Sequence, residues 1–252
     1  MVLCDGLHFG KASISGYSWA VLLQKPLHYG PNMMKQIEIP LLIKRLRLTT
    51  QNMPPTASDA IIAEYGRDPY LILIGCLLSL RAKDLVSLSV ARELFKRART
   101  PQQMLKLSQQ QLEKIIYSIG FYRQKAKQLR AVSKALIDQF DGTVPCALDE
   151  LLSLPGVGRK TANLVLGQAF GVPAICVDIH VHRISNRLGL VSTKTPEKTE
   201  EALRKILPQQ YWVEYNKLLV MWGQNICLPT SPLCSRCAIA DICPRIGVTR
   251  HR

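Results

Sequence analysis

The stretch Leu154-Pro155-Gly156-Val157-Gly158-Arg159-Lys160-Thr161-Ala162 lies between two helical patterns, Leu148 to Leu152 and Arg159 to Phe170. Two glycines around one apolar residue predict a tight turn with bare backbone, because glycine allows positive φ and close approach. The start of the second helix adds unpaired N–H groups and the positive end of the helix dipole, and this combination suits a phosphate. A corner between two helices that only packs is the structural alternative.

The sequence around this turn is helical in pattern. From residue 59 onward, apolar residues recur at spacings of three and four, as in Tyr70 to Leu80 and Ala126 to Phe140. No segment reads as a strand, so we predict an all-α fold, and the lack of a repeat period favours a compact bundle. Helices are expected to stop at breakers such as Asp68-Pro69, Thr100-Pro101 and Pro196.

The composition indicates a basic globular protein. Its 252 residues include 33 Lys and Arg against 18 Asp and Glu, a formal charge of +15. The 47% of hydrophobic residues exclude a disordered tail or a fibre, and the positive excess favours contact with nucleic acid over mere packing of the turn. The longest apolar run, Tyr70 to Leu80, is shorter than the roughly 20 residues of a membrane span, so we predict no membrane partner.

The amino end carries no secretory segment, so the expected compartment is the reducing cytoplasm, with nucleoid association in a prokaryote. Residues 1–33 show neither a helical nor an alternating apolar pattern. They are expected to form a disordered arm.

Four of the eight cysteines cluster near the carboxyl end, at Cys227, Cys234, Cys237 and Cys243. Four thiolates this close in sequence can surround one metal centre. A zinc site is one candidate, although only Cys234 and Cys237 have the short spacing of a zinc knuckle. Cysteine-only ligation also suits a 4Fe-4S cluster.

The turn stretch, followed by Val177-Asp178-Ile179-His180-Val181-His182-Arg183, resembles the helix-hairpin-helix motif and Gly/Pro-Asp loop of the endonuclease III family of DNA glycosylases. The resemblance extends from about residue 34 to 245, and the cysteine spacing is the family's 4Fe-4S signature. It implies a two-lobed all-α fold with a helical-bundle lobe and a cluster lobe. Residues 34–58 and 173–252 would form an amino-terminal helix with the cluster lobe, and residues 59–172 an inserted six-helix lobe that contains the helix-hairpin-helix at 148–170.

Two side chains in these motifs are the predicted catalytic residues. Lys160 lies in the first turn of its helix, where the dipole disfavours an ammonium, and a neutral amine can form a Schiff base with the deoxyribose. Asp178 is placed to cap the next helix as a carboxylate that stabilises an oxocarbenium-like sugar or assists proton transfer. The resemblance makes Lys160 the family's nucleophile, 18 residues before Asp178. A surface lysine and a simple cap are the structural alternatives.

The other predicted site residues contact DNA. Where relatives fill the gap left by an extruded nucleotide, this sequence has Arg81 and Phe121. The structural alternatives are an ion pair between Arg81 and Asp84, and a core-capping role for Phe121 beside Tyr122. Further predicted DNA contacts are Leu154, Gly156, Val157, Gly158, Arg159, His180 and Arg183, and candidate phosphate contacts also include Arg123, Lys125, Lys127, Arg130 and Arg187.

The resemblance implies a monomeric, bifunctional glycosylase and abasic-site lyase of base excision repair. Such an enzyme removes oxidised pyrimidines from damaged double-stranded DNA and then cleaves the strand by β-elimination. A monofunctional adenine or mismatch glycosylase is one alternative, but the lysine at position 160 argues against it, since those branches lack it. A non-catalytic DNA-binding helix-hairpin-helix protein is the alternative from another class.

Overall fold

The computed structural model describes residues 37–252, in which helices joined by turns and loops are present and no strand occurs, so the predicted all-α fold is confirmed. The arm predicted at residues 1–33 lies outside the described residues. None of the helices within 37–252 is long and apolar enough to cross a membrane. The helices of this range are α1 (Ile39–Thr50), α2 (Ala57–Tyr65), α3 (Pro69–Ser79), α4 (Asp84–Phe95), α5 (Pro101–Lys106), α6 (Gln109–Ile115), α7 (Tyr122–Phe140), α8 (Leu148–Ser153), α9 (Arg159–Phe170), α10 (Ile179–Arg187), α11 (Pro196–Ile206) and α12 (Trp212–Asn225).

The dipeptides expected to stop helices instead begin them. Asp68, Thr100 and Thr195 are the N-cap residues of α3, α5 and α11, and each side chain accepts a hydrogen bond from a backbone N–H of the first turn. The proline that follows each cap occupies the first helical position, where its missing N–H costs nothing and its fixed φ suits the helix. These dipeptides therefore mark helix starts.

The described residues bury two hydrophobic cores. The first surrounds α3, which is buried from Tyr70 to Leu78 and packs against α2, α4 and α9. Gly75 allows this packing, because a side chain there would overlap Cδ1 of Ile61 on α2. Eight helices, α2 to α9, run through this part of the chain, two more than the six expected, and the short α5 and α8 have six residues each.

The second core joins α1 to the carboxyl third of the chain. Leu42 and Leu46 of α1 pack with residues from Ile175 to Ile239, and Trp222 of α12 lies at its centre. The chain passes from one core to the other between Ala174 and Ile175. The turn before α9 belongs to the first core and the start of α10 to the second, so the two segments singled out by the sequence lie on either side of this crossing.

Candidate active site

The hairpin between α8 and α9 combines a buried frame with an open backbone. Leu154 and Val157 are buried in the first core, so of these two predicted DNA contacts only backbone groups are available to a ligand. Gly156 has the positive φ that glycine allows, at +71°, whereas Gly158 has φ −92°. A side chain at 158 would meet nothing within 4 Å, and no side chain caps the first N–H groups of α9. This helix start is therefore accessible to an anion.

Lys160 is the second residue of α9 and is exposed. Within residues 37–252 its ammonium makes no hydrogen bond or ion pair. Asp178, by contrast, is buried at the N-cap of α10, where its Oδ1 accepts from the N–H groups of His180 and Val181, at 2.9 Å each. The charges of Lys160 and Asp178 both act on the thiol of Cys176, whose pKa is raised chiefly by burial. The side chains of Lys160 and Asp178 thus both lie near enough to this buried thiol for their charges to affect it.

Two buried asparagines, which the sequence analysis missed, hold the segment that leads to Asp178. Asn163, one turn after Lys160, donates from Nδ2 to the carbonyl of Ile175 at 3.0 Å, and Asn216 of α12 donates to the carbonyl of Cys176 at 2.9 Å. Both bonds satisfy carbonyls that would otherwise be buried without a donor. Asn163 therefore links the helix of Lys160 to the segment of Asp178. The only sequence signal was a polar residue on an otherwise apolar helix face.

Arg159 is engaged by a carboxylate of the second core. Its Nε and Nη2 donate to Glu200 of α11 at 2.9 and 3.1 Å, and Arg204 contacts the same carboxylate at 3.0 Å. Only 5% of the Glu200 side chain is exposed. About half of the Arg159 side chain remains exposed, so this pair joins α9 to α11 and leaves part of the guanidinium at the surface.

The cationic face of α10 turns toward the cysteine segment. Arg183 donates from Nη2 to the carbonyls of Gly223 and Cys227 at 3.1 and 2.8 Å, and the same nitrogen lies 3.1 Å from Nδ1 of His180. Burial, with the charges of Arg183 and Lys160, lowers the pKa of His180. Arg183 is thus directed into the protein and not toward solvent. Of these two predicted DNA contacts, the His180 side chain has fewer hydrogen-bond partners within the protein.

Arg81 and Phe121 lie together on two neighbouring loops. Both have left-handed backbone, at φ +58° and +61°, an uncommon conformation for residues with side chains. The Arg81 guanidinium lies 6.0 Å from the centre of the Phe121 ring, and 68% of Phe121 is exposed. The alternative ion pair with Asp84 is not formed, since Asp84 accepts from Gln224 and, at 3.4 Å, from the backbone of Ala57. Phe121 is likewise no core cap.

Lys125, expected to contact phosphate, is buried. Its Nζ donates to the carbonyls of Leu77 and Leu80 at 2.7 and 2.8 Å. The sequence predicts it as a phosphate contact only because it is one of several positive residues in this stretch. The structure removes it from the set of direct DNA contacts.

The four clustered cysteines line one cavity. Apolar side chains such as Ile184 and Trp222 form much of its remaining wall. Arg187 donates to Sγ of Cys227 at 3.3 Å and to the carbonyls of Leu228 and Pro229, so it fixes residues 227–229 to α10. Burial raises the pKa of the Cys237 thiol to about 11, and also raises that of Cys243. Within residues 37–252, no three His, Cys, Asp or Glu side chains form a group for a single metal ion.

Comparison with known proteins places this geometry in one family. Residues 74–209, just over half of the chain, match the HhH-GPD superfamily of base excision DNA repair proteins. The chain is 48% identical over 176 residues to endonuclease III of Thermotoga maritima, which covers 70% of this chain and 83% of that protein. It is 40% identical over 197 residues to endonuclease III-like protein 1 of Bos taurus, covering 74% of this chain and 65% of the relative.

Solved structures give the same result. A non-covalent complex of endonuclease III with DNA matches with a TM-score of 0.73 and 35% identity, covering 82% of this chain and 94% of that one. A trapped covalent intermediate of endonuclease III with DNA matches with a TM-score of 0.73 and 33% identity, covering 83% and 97%. The chain therefore belongs to the HhH-GPD superfamily of base excision DNA repair proteins, in its endonuclease III family, and is a bifunctional DNA glycosylase and abasic-site lyase.

Proposed function

We propose that Lys160 is the nucleophile of this enzyme and Asp178 its carboxylate partner, acting on oxidised pyrimidines in duplex DNA. The neutral amine of Lys160 attacks C1′ of the deoxyribose and displaces the damaged base, which leaves with a proton lost from the amine. Cleavage of the C1′–O4′ bond then opens the sugar ring, with the proton going to O4′, and the C1′–N bond becomes a Schiff base. The resulting Schiff base withdraws electrons, so loss of a C2′ proton expels the 3′ phosphate. Asp178 is suited to stabilise positive charge at the sugar, because two backbone N–H groups hold its carboxyl group in a fixed position.

The observation that carries this proposal is the contrast between the two side chains. Lys160 is exposed at a helix start and unengaged within the described residues, whereas the carboxylate of Asp178 is buried and fixed by two hydrogen bonds. A lysine that served only as a surface cation would need no such neighbour. Nucleophilic catalysis needs this pairing of a mobile attacking group with a positioned partner.

Borohydride trapping on an abasic duplex, with peptide mapping of the adduct, tests the assignment. Wild type should form a covalent adduct at Lys160, and Lys160→Ala should form none while still binding the duplex. Lys134→Ala is the matched control, since this exposed lysine pairs only with Asp138 on its own helix. An adduct mapped to another residue contradicts the assignment, and a protein that excises bases without any adduct is a monofunctional adenine or mismatch glycosylase.

The DNA contacts form a second part of the proposal. The backbone of Gly156 and Gly158 and the start of α9 bind a phosphate, while Arg81 and Phe121, here called the reader residues, fill the space left by the extruded nucleotide. An aromatic ring can stack in this gap, and a guanidinium can donate to the orphaned base. Their exposure and shared left-handed backbone support this role. The enzyme acts as a monomer in a reducing compartment, the cytoplasm.

A 4Fe-4S cluster bound by Cys227, Cys234, Cys237 and Cys243 completes the proposal. All four line one largely apolar cavity, and Arg187 donates to one of the sulfurs, an arrangement suited to thiolate ligands. Because burial raises the pKa of Cys237 to about 11, thiolates there require the positive charge that bound iron supplies. The cluster would fasten the ligand loop to α10, whose other end is Asp178. Iron and sulfide content of purified protein, with visible absorbance, tests this site.

A further inference from the structure

One buried ammonium connects the two loops that carry the reader residues. The backbone of Lys125 lies one turn into α7, where its N–H donates to the carbonyl of Phe121 at 3.0 Å. Its side chain reaches back to α3 and donates to the carbonyls of Leu77 and Leu80, the residue directly before Arg81. A single residue thus touches the last turn before one reader residue and the first turn after the other.

The bonds of Lys125 set the exit of the chain from α3. An ammonium at the carboxyl end of a helix satisfies carbonyls that lack intrahelical partners and complements the negative end of the dipole. Beyond Leu80 the chain turns through the positive φ of Arg81 and closes with Ala82 N–H donating to Ser79 at 3.0 Å. The left-handed residue Arg81 therefore comes immediately after a segment that Lys125 holds in place.

The electrostatics oppose a purely stabilising role for this lysine. Burial, with the nearby charge of Arg81, lowers the pKa of Lys125 to about 8. Neither cation forms an ion pair within the described residues. A buried cation beside another cation is an expensive way to cap a helix, and an apolar residue often stabilises such a site as well or better. The Arg81 guanidinium itself lies 6.0 Å from the centre of the exposed Phe121 ring.

We infer that Lys125 is a positioning residue that holds Arg81 and Phe121 as one preassembled reader of duplex DNA. This inference rests on the proposed function of the reader residues. Lys125 touches neither substrate nor the reacting atoms. It acts by fixing the spacing of the two loops, so that the ring and the guanidinium enter the duplex together when the nucleotide is extruded.

The test uses two substrates, of which only one requires the reader residues to fill the space left by an extruded nucleotide. An abasic site in duplex DNA has a partner base and neighbouring stacks to be separated, whereas the same site in single-stranded DNA has neither. Lys125→Met keeps the length of the side chain and removes its charge and donors. We expect it to slow borohydride trapping on the duplex by about tenfold while changing trapping on single-stranded DNA less than about twofold. Lys134→Met, on the same helix, should change neither.

A double-mutant comparison separates positioning from a direct role. In a background with Arg81→Ala and Phe121→Ala, the additional Lys125→Met change should have little effect on duplex trapping, because the groups it positions are gone. Full additivity, or equal slowing on both substrates, overturns the inference. If Lys125→Met does not fold, Lys125→Gln, which keeps one neutral donor, is measured on the same substrates. Failure of wild type to trap on either substrate would instead refute the proposed catalytic function.

Discussion

Replacing Asn163 should separate the stability of this protein from the geometry of the proposed catalytic pair, Lys160 and Asp178. In Asn163→Leu the buried carbonyl of Ile175 loses its donor, which costs about 1–3 kcal/mol. Part of this cost is offset, because Oδ1 of Asn163 is already buried without a partner in the described residues and leucine removes it. We therefore expect a net destabilisation of about 1–2 kcal/mol, seen as a melting temperature lowered by about 2–8 °C.

The effect on catalysis should be larger than the effect on stability. Asn163 lies three residues after Lys160, and Ile175 lies three residues before Asp178, so their bond at 3.0 Å joins the segments that carry the two proposed catalytic residues. A misplacement of about 1 Å between reacting groups costs roughly a hundredfold in rate. Single-turnover strand cleavage on an abasic duplex, at saturating enzyme, measures this loss.

The matched control is Tyr70→Phe, which removes a buried hydrogen bond of 2.8 Å to Ser133 inside the first core. It should lower stability by about 1 kcal/mol without changing the single-turnover rate. Equal rates in wild type and Asn163→Leu, despite a lowered melting temperature, would refute the reasoning. The bond to Ile175 would then stabilise the fold without setting the distance between Lys160 and Asp178.

Three further changes have defined outcomes. Gly156→Ala places a methyl group against the Gln128 amide at φ +71° and should weaken duplex binding, measured by fluorescence anisotropy, and lower stability by about 1 kcal/mol; unaltered binding would contradict a backbone contact at this turn. Cys237→Ala should reduce iron content and visible absorbance and lower the melting temperature, and retention of both signals would exclude this residue as a ligand. Lys125→Met should alter the pH dependence of stability. Between pH 8 and about 10 the folded wild type loses the lysine proton, whereas its unfolded state keeps it. The free energy of unfolding of wild type should therefore rise by about 2 kcal/mol relative to that of the variant over this range. Denaturant unfolding at pH 7.5 and 10 measures this, and a constant difference would contradict the lowered pKa.

The helices could be predicted from the sequence because their apolar spacing is local, but several boundaries could not. Asp68-Pro69 reads equally well as the end of one helix and the start of the next. The distinction depends on whether the side chain before proline accepts from the following turn, as Asp68 does from Leu71 N–H at 2.9 Å. The short helix α5 is hard to predict for the same reason, since Thr100-Pro101 also reads as a break. Only the hydrogen bond from Gln103 N–H to the Thr100 side chain identifies Thr100 as a cap. Residue types mark a helix boundary, and the geometry of the cap decides whether a helix ends or begins there.

The site residues likewise divide into those whose roles could be predicted from the sequence and those whose partners could not. Lys160, Asp178 and the cysteines lie in contiguous motifs, and their roles could be hypothesised from residue type and spacing. The partners of Arg159 and Lys125 could not, because Glu200 and the carbonyl of Leu77 are 41 and 48 positions away in sequence. The sequence does not show which distant carboxylate or carbonyl pairs with a positively charged side chain. Only the folded chain distinguishes a guanidinium available to phosphate from one that already has a carboxylate.

The choice of interactions around Lys160 follows from the charge of the substrate. A duplex presents a dense row of phosphates that compete with any exposed carboxylate for a nearby cation. Had Lys160 and Asp178 been held by an exposed ion pair, DNA binding would disturb the spacing that catalysis requires. The structure instead fixes Asp178 with backbone N–H groups and links the segments through the neutral amide of Asn163, both buried from salt and phosphate. Ionic strength should then govern how tightly DNA binds, while the distance between amine and carboxylate is set by bonds that phosphate cannot reach.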